Sequence, residues 1–196
     1  SSLIDEWSAK IPEKAPNVFL VNIGPKEVEA VQEMLAEQKL KHEPLLPTIL
    51  GRLTHINGIA PDTAWRKKSR SLDTELGLTW SGDLLEGDSI AEGAWWNKNP
   101  TRTSQFPEVS VGAEQAKNIG LKIGDRLRFS ISGLEHEAEV SSIRKYETTE
   151  TKTSFDFVFE PKSMHAFSPT YMSAFYLPPE QKTFSIKLLR AHPSLT

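Results

Sequence analysis

Five histidines, His42, His55, His136, His165 and His192, are the side chains best placed to bind a metal or move a proton at neutral pH. No two of them stand at the i, i+4 spacing of a helix face or the i, i+2 spacing of a strand face, so a zinc site would need ligands gathered from distant segments. They read as surface and capping residues, and no metal is expected. The chain has no cysteine, which removes disulfides, thiolate nucleophiles and thiolate metal centres. A serine nucleophile would leave the turn Gly-x-Ser-x-Gly, which is absent. The Ser/His pair Ser163 and His165 lies two residues apart in what reads as a loop after Pro161, a poor geometry for handing a serine proton to a base. No Gly-x-x-x-x-Gly-Lys-Ser/Thr loop is present to cradle phosphates, so if ATP matters another chain binds it. The sequence therefore predicts no catalytic residue, no metal and no cofactor.

Two groups of residues suit contact instead of catalysis. Trp95 and Trp96 are adjacent, and neighbours on a strand face opposite ways, so one ring is expected in the core and the other outward or in a groove. Phe155, Phe157 and Phe159 alternate with Ser154, Asp156 and Val158, the firmest period-two signal in the chain, and predict a strand with one apolar face. Core packing explains both patterns, but Trp95, Trp96, Phe155 and Phe157 are also the candidates for touching a hydrophobic substrate or partner. Arg66, Lys67, Lys68 and Arg70 form a basic cluster that could meet anionic headgroups or an acidic patch, against the plainer reading of a solvated loop. The whole chain carries 23 Lys plus Arg against 26 Asp plus Glu, a net charge of -3, so it lacks the basic field that nucleic-acid binding requires.

The elements that would position these residues fall into two patterns. Leu3, Ile4, Trp7 and Ile11 predict a short amphipathic opening helix, and Asn17 to Ile23 a buried strand bounded by Pro16 and Gly24-Pro25. Val28, Val31 and Leu35 share one face of a helix over 25–38, and an extended segment over 45–59 follows with a turn at Asn57-Gly58. Residues 61–96 are irregular and β-rich. A short helix carries Ala116 and Ile119 and stops at Gly120, and 126–143 read as a hairpin with one dry face. A strand over 153–159, a helical turn after Pro161, a strand over 170–177 and a helix ending near His192-Pro193 close the chain. Helix-bearing units at both ends around a β-rich middle predict the α+β class, with 1–59 and 153–196 as one subdomain and 60–152 inserted as a mostly-β subdomain. No run approaches the roughly 20 apolar residues of a membrane span.

Several of these segments, in order, resemble a known family. They are Asn17-Val-Phe-Leu-Val-Asn-Ile, Arg52-Leu-Thr-His-Ile-Asn-Gly58, Glu75-Leu-Gly-Leu-Thr-Trp80, Gly93-Ala-Trp-Trp96, Val109-Ser-Val-Gly through Asp125-Arg-Leu-Arg-Phe129, and Phe157-Val-Phe159 to Thr170-Tyr-Met-Ser-Ala-Phe-Tyr-Leu-Pro178. The chain resembles the periplasmic core domain of MacB/FtsX/LolC-like ABC transporter permeases, above all the YbbP branch; the polar run 148–153 departs from that pattern. The resemblance implies that the 1–59 and 153–196 part is a porter-like split β-α-β (ferredoxin-like) subdomain. It implies a bacterial inner-membrane protein with this domain in the periplasm, an opening helix that continues a membrane span, and a return to the membrane past Thr196. It implies a separate ATP-binding subunit and a second permease copy as partners, a periplasmic thioesterase or lysophospholipase as a further one, and export or extraction of a hydrophobic, lipid-like substrate. The excised domain is expected to be monomeric. The competing reading is a lipid- or lipoprotein-binding chaperone with no mechanical role.

Overall fold

The computed structural model describes residues 15–96, 102–146 and 154–195. The expected opening helix with Leu3, Ile4, Trp7 and Ile11, and the polar run 148–153, lie outside the described residues. In chain order the elements are β1 (Val18–Ile23), α1 (Val28–Glu37), β2 (Leu46–Ile56), α2 (Thr63–Arg66), β3 (Leu76–Trp80) and β4 (Ser89–Gly93). They continue with β5 (Glu108–Gly112), α3 (Ala113–Ile119), β6 (Arg126–Ile131), β7 (Leu134–Lys145), β8 (Phe157–Phe159), β9 (Thr170–Phe175) and α4 (Thr183–Ala191). Of the described residues, those up to Leu46 and from Thr170 onward form one compact unit, and those between Pro47 and Pro169 form the other.

In the smaller unit β1 runs antiparallel to β9, with Val18 opposite Phe175 and Leu20 opposite Ser173. Val31 and Leu35 of α1 and Phe184 and Leu188 of α4 sit four residues apart, one turn of helix, so each helix buries one stripe against Leu20, Ile23 and Phe175. Side chains tie down the ends of these elements. The Asn17 amide donates to the Leu177 carbonyl at 3.1 Å and accepts from the Leu177 N–H at 2.8 Å. Beyond α4, Ser194 Oγ donates to Glu27 Oε1 at 3.0 Å and His192 Nδ1 meets Glu27 Oε2 at 2.6 Å, just before α1 begins. The hydrogen bond from Ser194 first, then that from His192, holds the Glu27 carboxyl below its ordinary value.

The larger unit is a closed barrel of six strands in the order β2-β3-β8-β5-β7-β6 and back to β2. The β3–β8 and β5–β7 pairs are parallel and the other four antiparallel. The 12-residue β7 carries β6 and then β4 along one edge and β5 along the other. Alternation decides what points inward: Leu127, Phe129 and Ile131 are fully buried, while Arg126, Arg128 and Ser130 between them face out. The β6–β7 turn at Ser132-Gly133 and the one at Asn57-Gly58 both have two successive positive φ values, 52° and 77° and then 50° and 79°, the handedness that matches strand twist in a two-residue hairpin. Gly51 lets β2 take neighbours on both sides at once. It pairs with Leu76 and with Ile131, and a Cβ there would lie 2.8 Å from Leu78 Cδ1 and 2.9 Å from Ile131 Cγ1.

The helix over 25–38, the turn at Asn57-Gly58, the stop at Gly120 and the 126–143 hairpin match the structure within a few residues. The division of the chain differs from expectation. The 45–59 segment was expected as the second strand of a β-α-β unit, yet from Pro47 it belongs to the barrel, as do 154–169. A barrel closes only when its last strand pairs with its first, so β2 and β8, lying in sequence outside the 60–152 window, are recruited to complete it. The 153–159 strand shortens to Phe157–Phe159 for the same reason: it is a central rung between β3 and β5.

Candidate functional site

The tryptophan pair sits where β4 stops. Gly93 has a φ of 74°, and a Cβ there would collide with the Ser141 carbonyl oxygen, so only glycine lets the chain turn this close to β7. Trp95 and Trp96 follow that turn and are no longer strand residues. Instead of facing opposite ways their rings stack, with centroids 4.1 Å apart and planes 30° apart. Trp95 Nε1 donates to the Gly82 carbonyl at 2.8 Å and Trp96 Nε1 to the Ser81 carbonyl at 2.6 Å. Trp96 is 7% exposed and Trp95 half-buried, so Trp95 is the member a partner can reach.

Phe155 and Phe157 do not join them. Phe157 and Phe159 are completely buried in the barrel, and so is Val158 between them, so the stripe has two dry faces where one was expected. Phe155 is 5% exposed and its carbonyl is taken by Arg144. Neither phenylalanine offers surface to a ligand, which corrects their candidacy as contact residues. A rung with barrel neighbours on both sides is buried on both faces whatever its alternation.

The basic cluster is exposed at all four positions, Arg66, Lys67, Lys68 and Arg70. Asp62 caps α2 by accepting from the Trp65 N–H at 2.8 Å, and Trp65 Nε1 donates to the Ile119 carbonyl at 2.9 Å, fastening the ridge to the barrel. Ser69, buried, accepts from the Ser71 N–H and donates to Gln115 Oε1 at 2.6 Å. Among the described residues none of the four cations has an ion-pair partner.

Ser163 Oγ donates to the Glu160 carbonyl at 3.1 Å and His165 is exposed, so the two form no nucleophile-base contact. Among the described residues no three His, Asp or Glu side chains gather into a metal-holding group. His42 Nδ1 donates to the Glu43 carbonyl at 2.7 Å, and His55 Nδ1 donates to Thr54 Oγ1, whose own proton goes to the Arg128 carbonyl. His136 lies edge-on to Phe159 and Phe167, with Nε2 buried and without a hydrogen-bond partner among the described residues. Burial pushes its imidazole below the ordinary value. A group that resists protonation in the folded state gives stability that is full above the unfolded value near 6.5 and is lost as pH falls below it. His136→Leu is therefore expected to flatten the acid side of the stability profile, read as a smaller drop in urea midpoint from pH 7.5 to pH 5.

Sequence reasoning missed a buried polar cluster at one end of the barrel. The Arg144 guanidinium is fully buried: Nε donates to Ser110 Oγ at 2.9 Å, Nη1 to Asp88 Oδ2 at 3.2 Å, and Nη2 to the Phe155 carbonyl at 2.8 Å. Ser142 Oγ also donates to Ser110 Oγ at 2.7 Å. Asp156 accepts from Ser71 Oγ at 2.8 Å and from the Tyr146 hydroxyl at 3.2 Å. Burial lowers the Arg144 guanidinium from its ordinary value while Asp88 opposes that shift, and burial with Asp156 alongside pushes the Tyr146 phenol up to about 12. Each nitrogen of this guanidinium meets an oxygen, so the cluster's chemistry is to hold β7, β5 and the 155–156 backbone together.

Comparison with known proteins adds the following. The chain matches no protein-family model. It is 28% identical over 173 residues to a protein of Escherichia coli (strain K12) described as an uncharacterized ABC transporter permease, YbbP; the match covers 88% of this chain and 20% of that protein. A crystal structure described as "a domain of a putative Permease protein" from Porphyromonas gingivalis aligns with 89% of this chain and 82% of its own, at 14% identity and a TM-score of 0.45, a likeness on which nothing further is built. The chain spans about a fifth of the length of the curated relative it matches. Along most of its length the chain is thus similar to one stretch of a larger ABC transporter permease.

Proposed function

We propose that the chain is an extracytoplasmic lobe of a MacB/FtsX/LolC-type permease, seated in the bacterial inner membrane with this domain in the periplasm. It moves when a separate ATP-binding subunit closes on nucleotide, and with a second permease copy it expels or extracts a hydrophobic, lipid-like substrate. The observation that carries this reading is the sequence similarity running along 88% of the chain. Two features support it. Among the described residues no helix is long and apolar enough to cross a membrane, as a lobe carried on spans elsewhere in a larger protein requires. Mechanical coupling also needs bodies that move without deforming. A closed barrel with every strand paired is such a body, and in the smaller unit Asn17 and Glu27 fasten the chain segments through which force would enter.

In this reading Trp95 and the ridge of Arg66, Lys67, Lys68 and Arg70 are the faces offered to partner and anionic surface, and a periplasmic thioesterase or lysophospholipase is the further partner. Full-length protein purified in detergent is expected to bring its ATP-binding subunit with it at one copy of ATPase per permease. Repeated purification of the permease alone overturns the reading. Stoichiometric acyl ligand on the isolated chain in native mass spectrometry would favour the lipid-binding chaperone instead.

A further inference from the structure

The outer side of the barrel unit holds a cavity of about 510 Å³ between the 102–106 loop, the start of β6 and the middle of β7. Arg102, Arg126, Phe106, Glu139 and Ser141 line it. Three of these carry donors that the fold does not use. Ser141 is the extra residue of a bulge in β7, where the pairing with β5 jumps from Val109–Val140 to Ser110–Ser142. It is 5% exposed, and its Oγ is buried without a hydrogen-bond partner among the described residues. Native structures rarely leave a buried hydroxyl so, and bulges often re-aim a side chain at a site. Arg102 spends its two Nη groups on the Ser104 and Phe106 carbonyls, at 3.2 and 2.6 Å, which folds the loop; its buried Nε has no hydrogen bond among the described residues and only a long ion pair with Glu139 Oε1, at 3.7 Å. The Arg126 guanidinium lies over the Phe106 ring at 4.1 Å and makes no hydrogen bond among the described residues.

We propose that this cavity binds a phosphodiester monoanion, carried by a lipid headgroup. Two arginines against one carboxylate leave a single net positive charge on the lining, which suits a diester and not a phosphate dianion. Donors converging from three chain segments suit a tetrahedral group with acceptors in several directions better than a planar carboxylate with two. Among the described lining residues Phe106, Ile123 and Val140 are apolar and the other seven polar or charged, so the site holds a headgroup and leaves acyl chains outside. The lipid source rests on the transport reading above; the anion site does not.

The test uses the 196-residue chain and NMR titration of backbone amides. Dimethyl phosphate is expected to shift residues 102–106, 126 and 139–141 saturably while acetate at equal concentration leaves them in place. Arg126→Gln, at an exposed position, should weaken that binding by about tenfold and Ser141→Ala by several-fold, both with unchanged urea midpoints. Short-chain phosphatidylglycerol below its micelle concentration should bind at least about tenfold tighter than dimethyl phosphate. Equal shifts with acetate, or none with dimethyl phosphate, overturn the site. A lipid that binds no tighter than dimethyl phosphate overturns the headgroup source. Because no transporter is present in this experiment, loss of ATPase co-purification and loss of anion binding are separate outcomes.

Discussion

Arg144→Leu is expected to cost the barrel unit about 3–5 kcal/mol, read as a fall in urea midpoint followed by tryptophan fluorescence. Leucine recovers some apolar packing, but it deprives Asp88, Ser110 and the Phe155 carbonyl of donors at 2.8 to 3.2 Å in a place water does not reach. Loss of the ion pair with the buried Asp88 carboxylate is the dominant loss, larger than the roughly 1 kcal/mol each for the neutral hydrogen bonds. Arg144→Lys keeps the charge but replaces a three-nitrogen fork with one ammonium, and should recover less than half. Asp88→Asn on top of Arg144→Leu should cost less than the two changes summed, by about 0.5–3 kcal/mol, because the pair is in direct contact. A loss below about 1 kcal/mol for Arg144→Leu would show that the cluster does not hold the barrel end. The readout is local: Trp65, Trp80, Trp95 and Trp96, four of the chain's five tryptophans, lie in this unit.

The sequence carries a trace of this cluster in the alternation of Ser142 with Arg144. The bulge at Ser141 moves the core-facing phase of β7 from Ala138 and Val140 to Ile143, which leaves Ser142 and Arg144 on the opposite face beside Ser110. What it does not carry is the partner: Asp88, Ser110 and Phe155 lie 56, 34 and 11 residues away and meet Arg144 only after the strands have ordered. The same limit explains the two tryptophans. Adjacent residues alternate only while the strand lasts, and the strand ends at Gly93, whose left-handed backbone is not announced by the alternation before it.

Local pattern was a reliable guide to which segments are helix or strand, and to the turns at Asn57-Gly58 and Ser132-Gly133, because those depend on side-chain period and on residues that tolerate positive φ. Strand neighbours were not legible. β3 and β8 are parallel and 79 residues apart at Trp80–Phe159, a pairing that no local signal specifies. Closure of the barrel is a property of all six strands together, so the boundary between units moved from near 60 to Pro47, and Phe155 and Phe157 moved from a possible groove into the interior. The ridge of Arg66, Lys67, Lys68 and Arg70, by contrast, reads as a solvated loop in the sequence and is exposed, because four cations with only Ser69 between them have nowhere to be buried.

Phe129→Ala is expected to cost about 3–5 kcal/mol at the centre of the same barrel, a fifth or more of the roughly 5–15 kcal/mol by which a domain is stable. Phe129 is completely buried and meets Phe157 and Phe159 edge-on, with centroids 5.3 and 5.1 Å away, so truncation removes one ring and both edge-to-face contacts together. The strands around the void are hydrogen-bonded on both sides and cannot collapse into it: β6 is pinned to β2 through Leu53–Phe129 and to β7 through Phe129–His136. That rigidity places the cost toward the upper part of the range for large-to-small changes, since relaxation is what makes such changes mild. Leu134→Ala, directly after the hairpin turn and 54% exposed, is the matched control and should stay within about 0.5 kcal/mol. The slope of the urea transition should be the same in both variants, because neither alters how much surface the barrel hides. If Phe129→Ala fell no further than Leu134→Ala, the three rings would be bystanders, and the source of this unit's stability would have to be sought in the strand pairing alone.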